Sequence, residues 1–293
     1  MTSKAQIAEG YRRFRTVCAQ LVSHVPEPFF VKVGANDGVT GDPCADILLG
    51  SPVWRGILIE PVPYVFARLA ENYADRSRFT LLQRLIGQER QEVAFYYVHQ
   101  DAGHLVPDLP DWFDKIGSVS RTHILDHLGS EVADQVIEVS LPMQSLAEVL
   151  SEHGITRFEL LHTDVEGHDL EVLKSLDLDT QRPMAMLIEQ KHLSSEDRTT
   201  LYDLLTDHRY FVNAFGGEVF ALDRSAPRSL IRAGGFARVR VIAIALLSSR
   251  PRSASSTSSH TASGSAGVRR TALNDEAGGV WPSAVSASVA ERV

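Results

Sequence analysis

A strand that runs straight into a glycine-containing turn constrains the fold of this chain more than any other feature. Residues 29–33 (FFVKV) are apolar apart from one lysine, and they predict a short buried strand. The turn after it, residues 34–38 (GANDG), consists of residue types that accept the unusual dihedrals of a sharp strand exit, and its glycines let a ligand approach the backbone. In an α/β chain, such an exit indicates a site for a nucleotide-shaped ligand. The turn lacks the full G-x-G-x-x-G spacing, which disfavours a dinucleotide.

Strands and helices alternate along the chain after this turn. The later predicted strands are residues 55–61, 79–86, 93–98, 136–141, 158–164 and 184–188, and the predicted helices are residues 4–24, 46–49, 64–73, 146–150, 170–176 and 194–207. Two last strands, residues 210–214 and 218–222, flank two glycines and predict a hairpin. The alternation predicts an α/β fold whose mostly parallel sheet is covered on both faces, with the antiparallel hairpin at one edge.

Charge divides the chain into a body and a tail. Residues 224–293 contain ten arginines, no lysine and three acidic residues, so this tail carries +7, and residues 1–223 carry −15, of a net charge of −8. The tail is also rich in serine and alanine, and that composition predicts disorder. We therefore predict an N-terminal helix in residues 1–27, a folded domain in residues 28–223 and a disordered basic tail.

The composition also limits the partners that we expect. An acidic body disfavours nucleic acid. Two cysteines need no disulfide scaffold, and charged residues interrupt the N-terminal segment, so we expect no signal peptide and a cytoplasmic protein. The longest late apolar run, residues 239–247, contains Arg240 and is too short to cross a bilayer, so we expect no membrane partner.

Residues 99–135 interrupt the alternation of strands and helices. The segment is longer than an ordinary connection, and long insertions in compact domains often form lids or binding loops. We predict that it covers the substrate, with Trp112 and Phe113 shaping the cover. Its histidines do not show a metal-ligand spacing, and we predict no metal site from them.

An acid at the end of the second predicted strand complements the first turn. Glu60 lies 26 residues beyond Gly34 and is followed by Pro61. A carboxylate at the tip of a neighbouring strand can accept hydrogen bonds from two ribose hydroxyls. Together, the turn and the acid predict a nucleoside-type site.

A second polar group comes after the strand predicted at residues 158–164. Asp164, Glu166 and His168 alternate through its exit turn. His168 is a candidate general base because imidazole titrates near neutral pH. Asp164 and Glu166 could orient it, bind a charged group of the ligand or hold a divalent metal. Alternatively, the group is a helix N-terminus with favourable acids and a solvated histidine.

Three further polar residues lie in or near predicted strands. Glu189 ends a further strand, and we include it among the catalytic candidates. His192 either faces the same cleft or lies at the surface. His162 lies within a predicted strand, and we interpret it as a hydrogen-bonded core histidine rather than a ligand.

Three stretches of the chain resemble the FkbM-type methyltransferases: residues 31–38 (VKVGANDG), 59–61 (IEP) and 164–169 (DVEGHD). They occur in the family's order, and the resemblance covers about residues 28–223. It implies an S-adenosylmethionine-dependent O-methyltransferase with a Rossmann-like class I fold and a seven-stranded sheet. The chain departs from the family at two positions, where the family often has Lys in place of His162 and Glu in place of Asp169.

The resemblance also implies roles for the residues singled out above. Those that would border the methionine end of S-adenosylmethionine are Gly34, Asn36, Asp37 and Gly38. Glu60 and Pro61 would hold the ribose, and Gln83 and Arg84 would lie near the adenine. Asp164 would touch the cofactor, and the residues that would face the methyl acceptor as catalytic candidates are Asp164, Glu166, His168 and Glu189.

These implications lead to a functional expectation with two alternatives. We expect methyl transfer from S-adenosylmethionine to a hydroxyl oxygen of a small molecule, a sugar or a secondary metabolite. Such a transfer needs an aligned acceptor oxygen, one base and a pocket that excludes water. The alternatives are a non-catalytic module that binds S-adenosylmethionine or a nucleotide, and an NAD-dependent oxidoreductase.

Overall fold

A computed structural model of the chain describes residues 2–73 and 77–236. The α-helices in this part of the chain are α1 Lys4–Leu21, α2 Ala45–Gly50, α3 Pro63–Asn72, α4 Ala102–Leu105, α5 Arg121–Leu128, α6 Leu146–Glu152, α7 Asp169–Lys174, α8 Ser195–Asp207 and α9 Arg228–Ala233. The strands are β1 Phe29–Val33, β2 Arg55–Ile59, β3 Phe79–Leu82, β4 Leu85–Ile86, β5 Gln91–Val98, β6 Gly117–Ser118, β7 Val136–Gln144, β8 Leu160–Thr163, β9 Ala185–Glu189, β10 Tyr210–Phe215 and β11 Glu218–Asp223.

The main sheet has seven strands in the order β10-β11-β9-β8-β1-β2-β3. Neighbouring strands from β3 to β9 pair in parallel, whereas β11 runs antiparallel to both β9 and β10. The predicted α/β fold, with its mostly parallel seven-stranded sheet and its antiparallel edge hairpin, is confirmed. Because β1 lies between β2 and β8, the turns at the ends of these three strands meet at one edge of the sheet.

The two faces of the sheet bury separate apolar clusters. One cluster packs α6, α7 and α8 against residues such as Val31, Ile57 and Leu161. The other packs α1 and α2 against residues such as Phe30 and Leu58. Strands buried on both faces read as continuous apolar runs, which is why their sequences predict them so well.

Helix α1 matches the N-terminal helix that the sequence predicts. A capping box begins it, because the Ser3 hydroxyl accepts from the Gln6 amide at 3.2 Å and the Gln6 side chain accepts from the Ser3 amide at 2.8 Å. Phe14 is fully buried, and its ring lies 5.6 Å from that of Phe220 in an edge-on arrangement. The helix therefore covers one face of the sheet.

A second sheet accounts for two errors in the predicted strands. Residues 79–86 are not one strand, because β3 ends at Leu82 and β4 pairs with β7 outside the main sheet. Strand β5 also leaves the main sheet and runs antiparallel to β7, so that the four strands have the order β4-β7-β5-β6. Gln83 and Arg84 separate the two sheets, and the Arg84 guanidinium is held outward by Gln144 at 2.8 Å and Glu152 at 2.5 Å.

The predicted boundary between body and tail at Asp223 is wrong. Residues 224–236 continue the fold, because α9 packs beside α1 and buries Leu230 completely. Phe236 is 6% exposed, and its ring stacks on that of Phe211 at 5.2 Å. The arginines of this segment suggest a solvated tail, yet its few apolar side chains are enough to anchor it. The rest of the predicted tail, residues 237–293, lies outside the described residues.

Residues 99–135 fold into short elements beside the second sheet. They comprise α4, β6, α5 and two 3₁₀ turns, Phe113–Lys115 and Ser130–Gln135, around a small core that includes Ile116 and Ile124. Across residues 2–73 and 77–236, we find no helix that combines the length and the apolar character needed to cross a bilayer.

Candidate active site

A cavity of ≈ 260 Å³ opens where β1, β2 and β8 end. This volume lies close to the lower end of the range for small-molecule sites, about 300–1,000 Å³. The cavity is bounded by the exit turns of the three strands, by the segment after β3 and by residues 115–119 of the insertion. The sequence-predicted site residues that line it are Gly34, Asn36, Glu60, Pro61, Arg84, Asp164, Glu166 and His168.

The turn after β1 holds its backbone against the turn after β8. Gly34 has φ +74°, and a Cβ at this position would overlap the carbonyl oxygen of Asp164. Only glycine fits both constraints. Asn36 is also left-handed, with φ +51°, which asparagine tolerates better than most residues. The sharp exit predicted from the sequence is therefore present, and it leaves the turn's backbone along the cavity wall.

Glu60 lies at the tip of β2 and is fixed by two backbone amides. Its Oε2 accepts from the Asn36 amide at 2.9 Å, and its Oε1 accepts from the Val62 amide at 2.9 Å. Burial raises the pKa of Glu60 to about 7, although the two amides oppose the change. Because a carboxylate has about four lone-pair sites, Glu60 keeps capacity to accept from a ligand.

Asp37 and Gly38 build the turn instead of lining the cavity. Asp37 Oδ1 accepts from the amides of Val39 at 2.9 Å and Thr40 at 2.7 Å, so its carboxylate closes the turn on itself. A Cβ on Gly38 would overlap Tyr73, whose hydroxyl donates to the Gly38 carbonyl at 3.0 Å. Both residues support the turn, and neither lines the cavity.

The two residues predicted near the adenine differ in position. Gln83 is exposed, and its amide nitrogen donates to the Pro61 carbonyl at 3.3 Å. Arg84 lines the cavity, but its guanidinium is engaged by Glu152. The apolar neighbours Leu85 and Ile86 form the adjoining part of the wall.

An ion pair that the sequence did not reveal lies at the base of the cavity. The Lys32 ammonium is 2.5 Å from the Asp42 carboxylate, and both side chains are about 5% exposed or less. His162 pairs with Lys32 in the register of β1 and β8, and burial, followed by the charge of Lys32, lowers its pKa to about 3. His162 is thus a neutral core histidine, as its strand position predicts. A single lysine within an apolar strand was the available signal for the ion pair.

The same group includes Cys44, whose sulfur lies 3.8 Å from Nδ1 of His162. Asp42, Cys44 and His162 are close enough to share a metal ion. The Lys32 ammonium, however, already neutralises Asp42 within this buried group. We therefore assign it a structural role.

Asp164, which lines the cavity, has a second acid, Glu189, as its neighbour. Asp164 is reached by solvent through the cavity. Its pKa is nevertheless raised, first because the surrounding protein limits its hydration and second because Glu166 carries a like charge nearby. Glu189 does not line the cavity and is 9% exposed. Burial, followed by the charge of Asp164, raises the pKa of Glu189 well above its ordinary value. A protonated Glu189 beside Asp164 allows the two acids to share one proton.

His168 lines the cavity without the partners predicted for it. Its Nε2 is buried and has no hydrogen-bond partner in the described part of the chain. Burial lowers the pKa of His168, so the imidazole is neutral near pH 7. A neutral, unpartnered imidazole nitrogen can accept a proton from a bound hydroxyl.

Glu166 contacts other histidines instead. Its Oε2 is 3.4 Å from Nε2 of His123 and 3.3 Å from Nε2 of His192. Burial opposes ionisation, but the neighbouring His123 and His192 lower the pKa of Glu166 overall. His192 matches neither sequence interpretation fully, because its side chain is 9% exposed and contacts Glu166 but does not line the cavity.

The insertion forms one wall of the cavity with residues other than those predicted. Gly117, Ser118 and Val119 line it, and the Lys115 ammonium donates to the Thr40 carbonyl at 2.9 Å. Trp112 is 44% exposed and lies outside the lining. The insertion therefore closes the cavity with its backbone and small side chains, and Trp112 and Phe113 do not shape it.

Comparisons with known proteins identify a family. A family model described as the methyltransferase FkbM domain matches residues 32–217. A search of curated protein sequences returned no match. A solved methyltransferase FkbM from Methylobacillus flagellatus KT matches with 15% identity and a TM-score of 0.43, over 70% of this chain and 47% of that one. The chain thus spans about half the length of that protein.

Two further solved structures are similar to this chain at a comparable level. A precorrin-6y C5,15-methyltransferase from Geobacter metallireducens GS-15 has 15% identity and a TM-score of 0.33, over 76% of this chain and 93% of that one. An O-methyltransferase from Bacillus cereus, in complex with SAH, has 10% identity and a TM-score of 0.38, over 72% of this chain and 81% of that one.

Proposed function

The chain belongs to the FkbM methyltransferase family, and from this premise we propose that it transfers a methyl group from S-adenosylmethionine to a hydroxyl oxygen of a small molecule. One observation carries the proposal. Gly34, Glu60 and His168, from three different strand exits, line a single cavity. A backbone turn, a ribose-type acceptor and a candidate base are therefore within reach of one bound ligand.

The residues present fit S-adenosylmethionine. Residues 34–36 of the turn after β1 line the cavity, and we assign their backbone to the polar end of the ligand. Glu60 keeps lone pairs for ribose hydroxyls while two amides hold it in place. Leu85 and Ile86 supply an apolar wall for an adenine ring. We assign Gly34 and Asn36 to the methionine end, Glu60 and Pro61 to the ribose, and the segment after β3 to the adenine.

S-adenosylmethionine, when bound, supplies an electrophilic methyl group on a sulfonium. The chain's own residues then have to align the acceptor oxygen and take its proton. We assign the base to His168, because its imidazole is neutral, the residue lines the cavity and its Nε2 has no partner among the described residues. Asp164 also lines the cavity, and we assign it to accept a hydrogen bond from a second hydroxyl of the methyl acceptor.

We infer that the acceptor is a polar small molecule such as a sugar or a secondary metabolite. The cavity is lined by acidic residues, Glu60, Asp164 and Glu166, and by basic residues, Lys32, Arg84 and Lys115. Such groups can form hydrogen bonds with the hydroxyls of a small acceptor. The net charge of −15 on residues 1–223 disfavours nucleic acid.

Two measurements test the proposal. Isothermal titration calorimetry with S-adenosylmethionine, with SAH and with NAD should give binding for the first two ligands. Incubation with methyl-labelled S-adenosylmethionine and a small-molecule extract of the source cells should then label a product on oxygen, located by NMR. His168→Asn should keep cofactor binding and lower the rate of transfer by about 100-fold or more.

The alternatives give different results in the same experiments. Binding of NAD without binding of S-adenosylmethionine would contradict the proposal and favour an oxidoreductase. Binding of S-adenosylmethionine without any labelled product, in wild type and His168→Asn alike, would favour a non-catalytic module. A product labelled on carbon or nitrogen would keep methyl transfer and overturn the oxygen acceptor.

A further inference from the structure

Three histidines converge beside Glu166 at the wall of the cavity. The ring centroids of His123 and His127 are 4.3 Å apart, and the His192 ring lies 5.1 Å from the first and 4.7 Å from the second. No sequence motif joins them, because 64 residues lie between His127 and His192. The fold alone produces this cluster, and the proposed methyl transfer to an oxygen acceptor assigns it no step.

The secondary structure explains why these side chains meet. His123 and His127 are four residues apart on α5, so they lie on the same face of the helix. His192 comes shortly after the end of β9, and Glu166 lies in the exit turn of β8, the strand next to β9. The insertion therefore presents two imidazoles to the sheet edge, which supplies a third imidazole and a carboxylate.

The ligand atoms of the cluster point toward one another. Nε2 of His123 and Nε2 of His192 approach the same oxygen, Oε2 of Glu166, at 3.4 Å and 3.3 Å. One ligand atom from each of the three histidines lies within 4.8 Å of the others. Tetrahedral zinc with Zn–N distances of about 2.0–2.1 Å needs ligand atoms about 3.3 Å apart. A small rotation of the rings would bring the atoms to that separation.

A hydrogen bond prepares the third imidazole for a metal. Nδ1 of His127 lies 2.8 Å from the His123 carbonyl oxygen. This contact assigns the proton to Nδ1, which donates it, and leaves the Nε2 lone pair free. Metal-binding histidines characteristically donate their second ring nitrogen to a carbonyl or a carboxylate in this way.

Ordinary side-chain packing explains the cluster less well than metal binding does. Among residues 2–73 and 77–236, the ion pairs of Glu166 are with histidines and not with lysine or arginine. Two of these histidines share a single oxygen, and a third ring contacts both. A single permanent cation is enough to neutralise a carboxylate, whereas this arrangement brings ring nitrogens of three histidines close to one point.

We propose that His123, His127, His192 and Glu166 bind a divalent first-row transition-metal ion of the Zn²⁺ type. Three imidazoles with one carboxylate suit Zn²⁺, Co²⁺ or Fe²⁺. Ca²⁺ and Mg²⁺ prefer oxygen ligands and are disfavoured. Oε1 of Glu189 lies 3.7 Å from Nε2 of His192, so this acid borders the proposed site.

The ion would lie at the acceptor side of the cavity, because Glu166 also lines that cavity. An oxygen of the acceptor could then bind as a fifth ligand, where the metal would lower its pKa. This role rests on the proposed function, whereas metal binding itself does not.

Metal binding can be measured without any methyl acceptor. The full chain is treated with a chelator, desalted and titrated with Co²⁺, and its visible absorption distinguishes protein-coordinated cobalt from the hexa-aqua ion. Calorimetry with Zn²⁺ gives the affinity and the stoichiometry. We expect one ion per chain, and we expect His127→Ala and His192→Ala each to weaken Zn²⁺ binding by at least about 100-fold.

The matched control is His104→Ala, which removes an exposed histidine from the same insertion and should leave binding unchanged. Circular dichroism and thermal unfolding show whether each variant is folded, and His127→Gln replaces His127→Ala if the latter is not. The proposal is overturned if Zn²⁺ does not bind, or if binding survives in folded His123→Ala/His127→Ala. A cobalt spectrum like that of the aqua ion also overturns it. Binding of S-adenosylmethionine is measured separately, so failure of the metal site and failure of the proposed function are distinguishable.

Discussion

Glu60 combines two properties that oppose each other in the ligand-free protein. Its side chain belongs to a residue that is only 6% exposed, and this burial disfavours the ionised form. Both of its oxygens nevertheless accept hydrogen bonds from backbone amides, which favour the ionised form. A ligand that donates two further hydrogen bonds would favour the ionised carboxylate over the protonated acid. Glu60 is therefore the residue at which the ribose assignment is tested most directly.

We expect Glu60→Gln to weaken binding of S-adenosylmethionine by about 10- to 100-fold, because a hydrogen bond to a charged acceptor contributes about 1.5–3 kcal/mol. Calorimetry with the purified variant measures the change. Glu71→Gln, an exposed position on α3, is the control and should bind like wild type. An unchanged affinity in Glu60→Gln would remove Glu60 from the cofactor site.

The Lys32–Asp42 ion pair leads to a prediction about stability. Lys32→Met leaves the Asp42 carboxylate, 4% exposed, without its partner. Breaking a buried pair on one side costs about 3–5 kcal/mol of unfolding free energy, whereas replacing both partners by apolar residues is close to neutral. Urea denaturation should therefore show a large loss in Lys32→Met and recovery in Lys32→Met/Asp42→Leu.

The control for this prediction is a pair at the surface. Lys174 and Glu171 are 3.0 Å apart on α7, and about a third of each side chain is exposed. Lys174→Met should change the unfolding free energy by no more than about 0.5 kcal/mol. Equal effects of Lys32→Met and Lys174→Met would contradict the structural role of the buried pair.

At the residue scale, the sequence predicts the polar residues at strand exits better than the contacts that cross the sheet. Gly34, Glu60 and His168 are recognisable because each lies in or beside the exit of an apolar run. Lys32 and His123 were missed because their partners lie in other elements. The spacing of His123 and His127 is visible in the sequence, but its meaning requires both a helix there and His192 beside it.

At the element scale, apolar runs predict the strands that are buried on both faces. Strands β1, β2, β8 and β9 belong to this class, and the sequence located all four. Strand β5 has two buried residues, Phe95 and Val98, among exposed and partly buried ones, so its sequence does not show which sheet it joins. The short strand β4 is too brief to carry any pattern.

Helix α9 provides the test at this scale, because its composition resembles that of a solvated tail. Leu230 is fully buried, so Leu230→Ala should lower the unfolding free energy by about 2–5 kcal/mol through lost burial and a cavity. Thermal or urea unfolding of the full chain measures this. Arg228→Ala, an exposed position on the same helix, should have little effect. A neutral Leu230→Ala would mean that α9 does not contribute to the core.

At the scale of the whole molecule, ligand binding and protonation are coupled through Glu60. Burial raises the pKa of Glu60 to about 7 from an ordinary value of 4.5. In the ligand-free protein, the contribution of Glu60 to the unfolding free energy is therefore fully present below pH 4.5, where the side chain is protonated. This contribution is lost as the pH rises through 7. The difference corresponds to about 3 kcal/mol. Hydrogen bonds donated by ribose hydroxyls favour the carboxylate and should lower this pKa.

We therefore expect binding of S-adenosylmethionine at pH 7 to release about half a proton from Glu60, and we expect the affinity to rise with pH until it levels off above about pH 8. Calorimetry in two buffers of different ionisation enthalpy measures the proton release. Glu60→Gln cannot release this proton, so the difference between wild type and variant isolates the contribution of Glu60 from any titration of the ligand's own groups. If the two proteins released equal numbers of protons, the ribose would not contact Glu60, and the cofactor would have to occupy the cavity in another orientation.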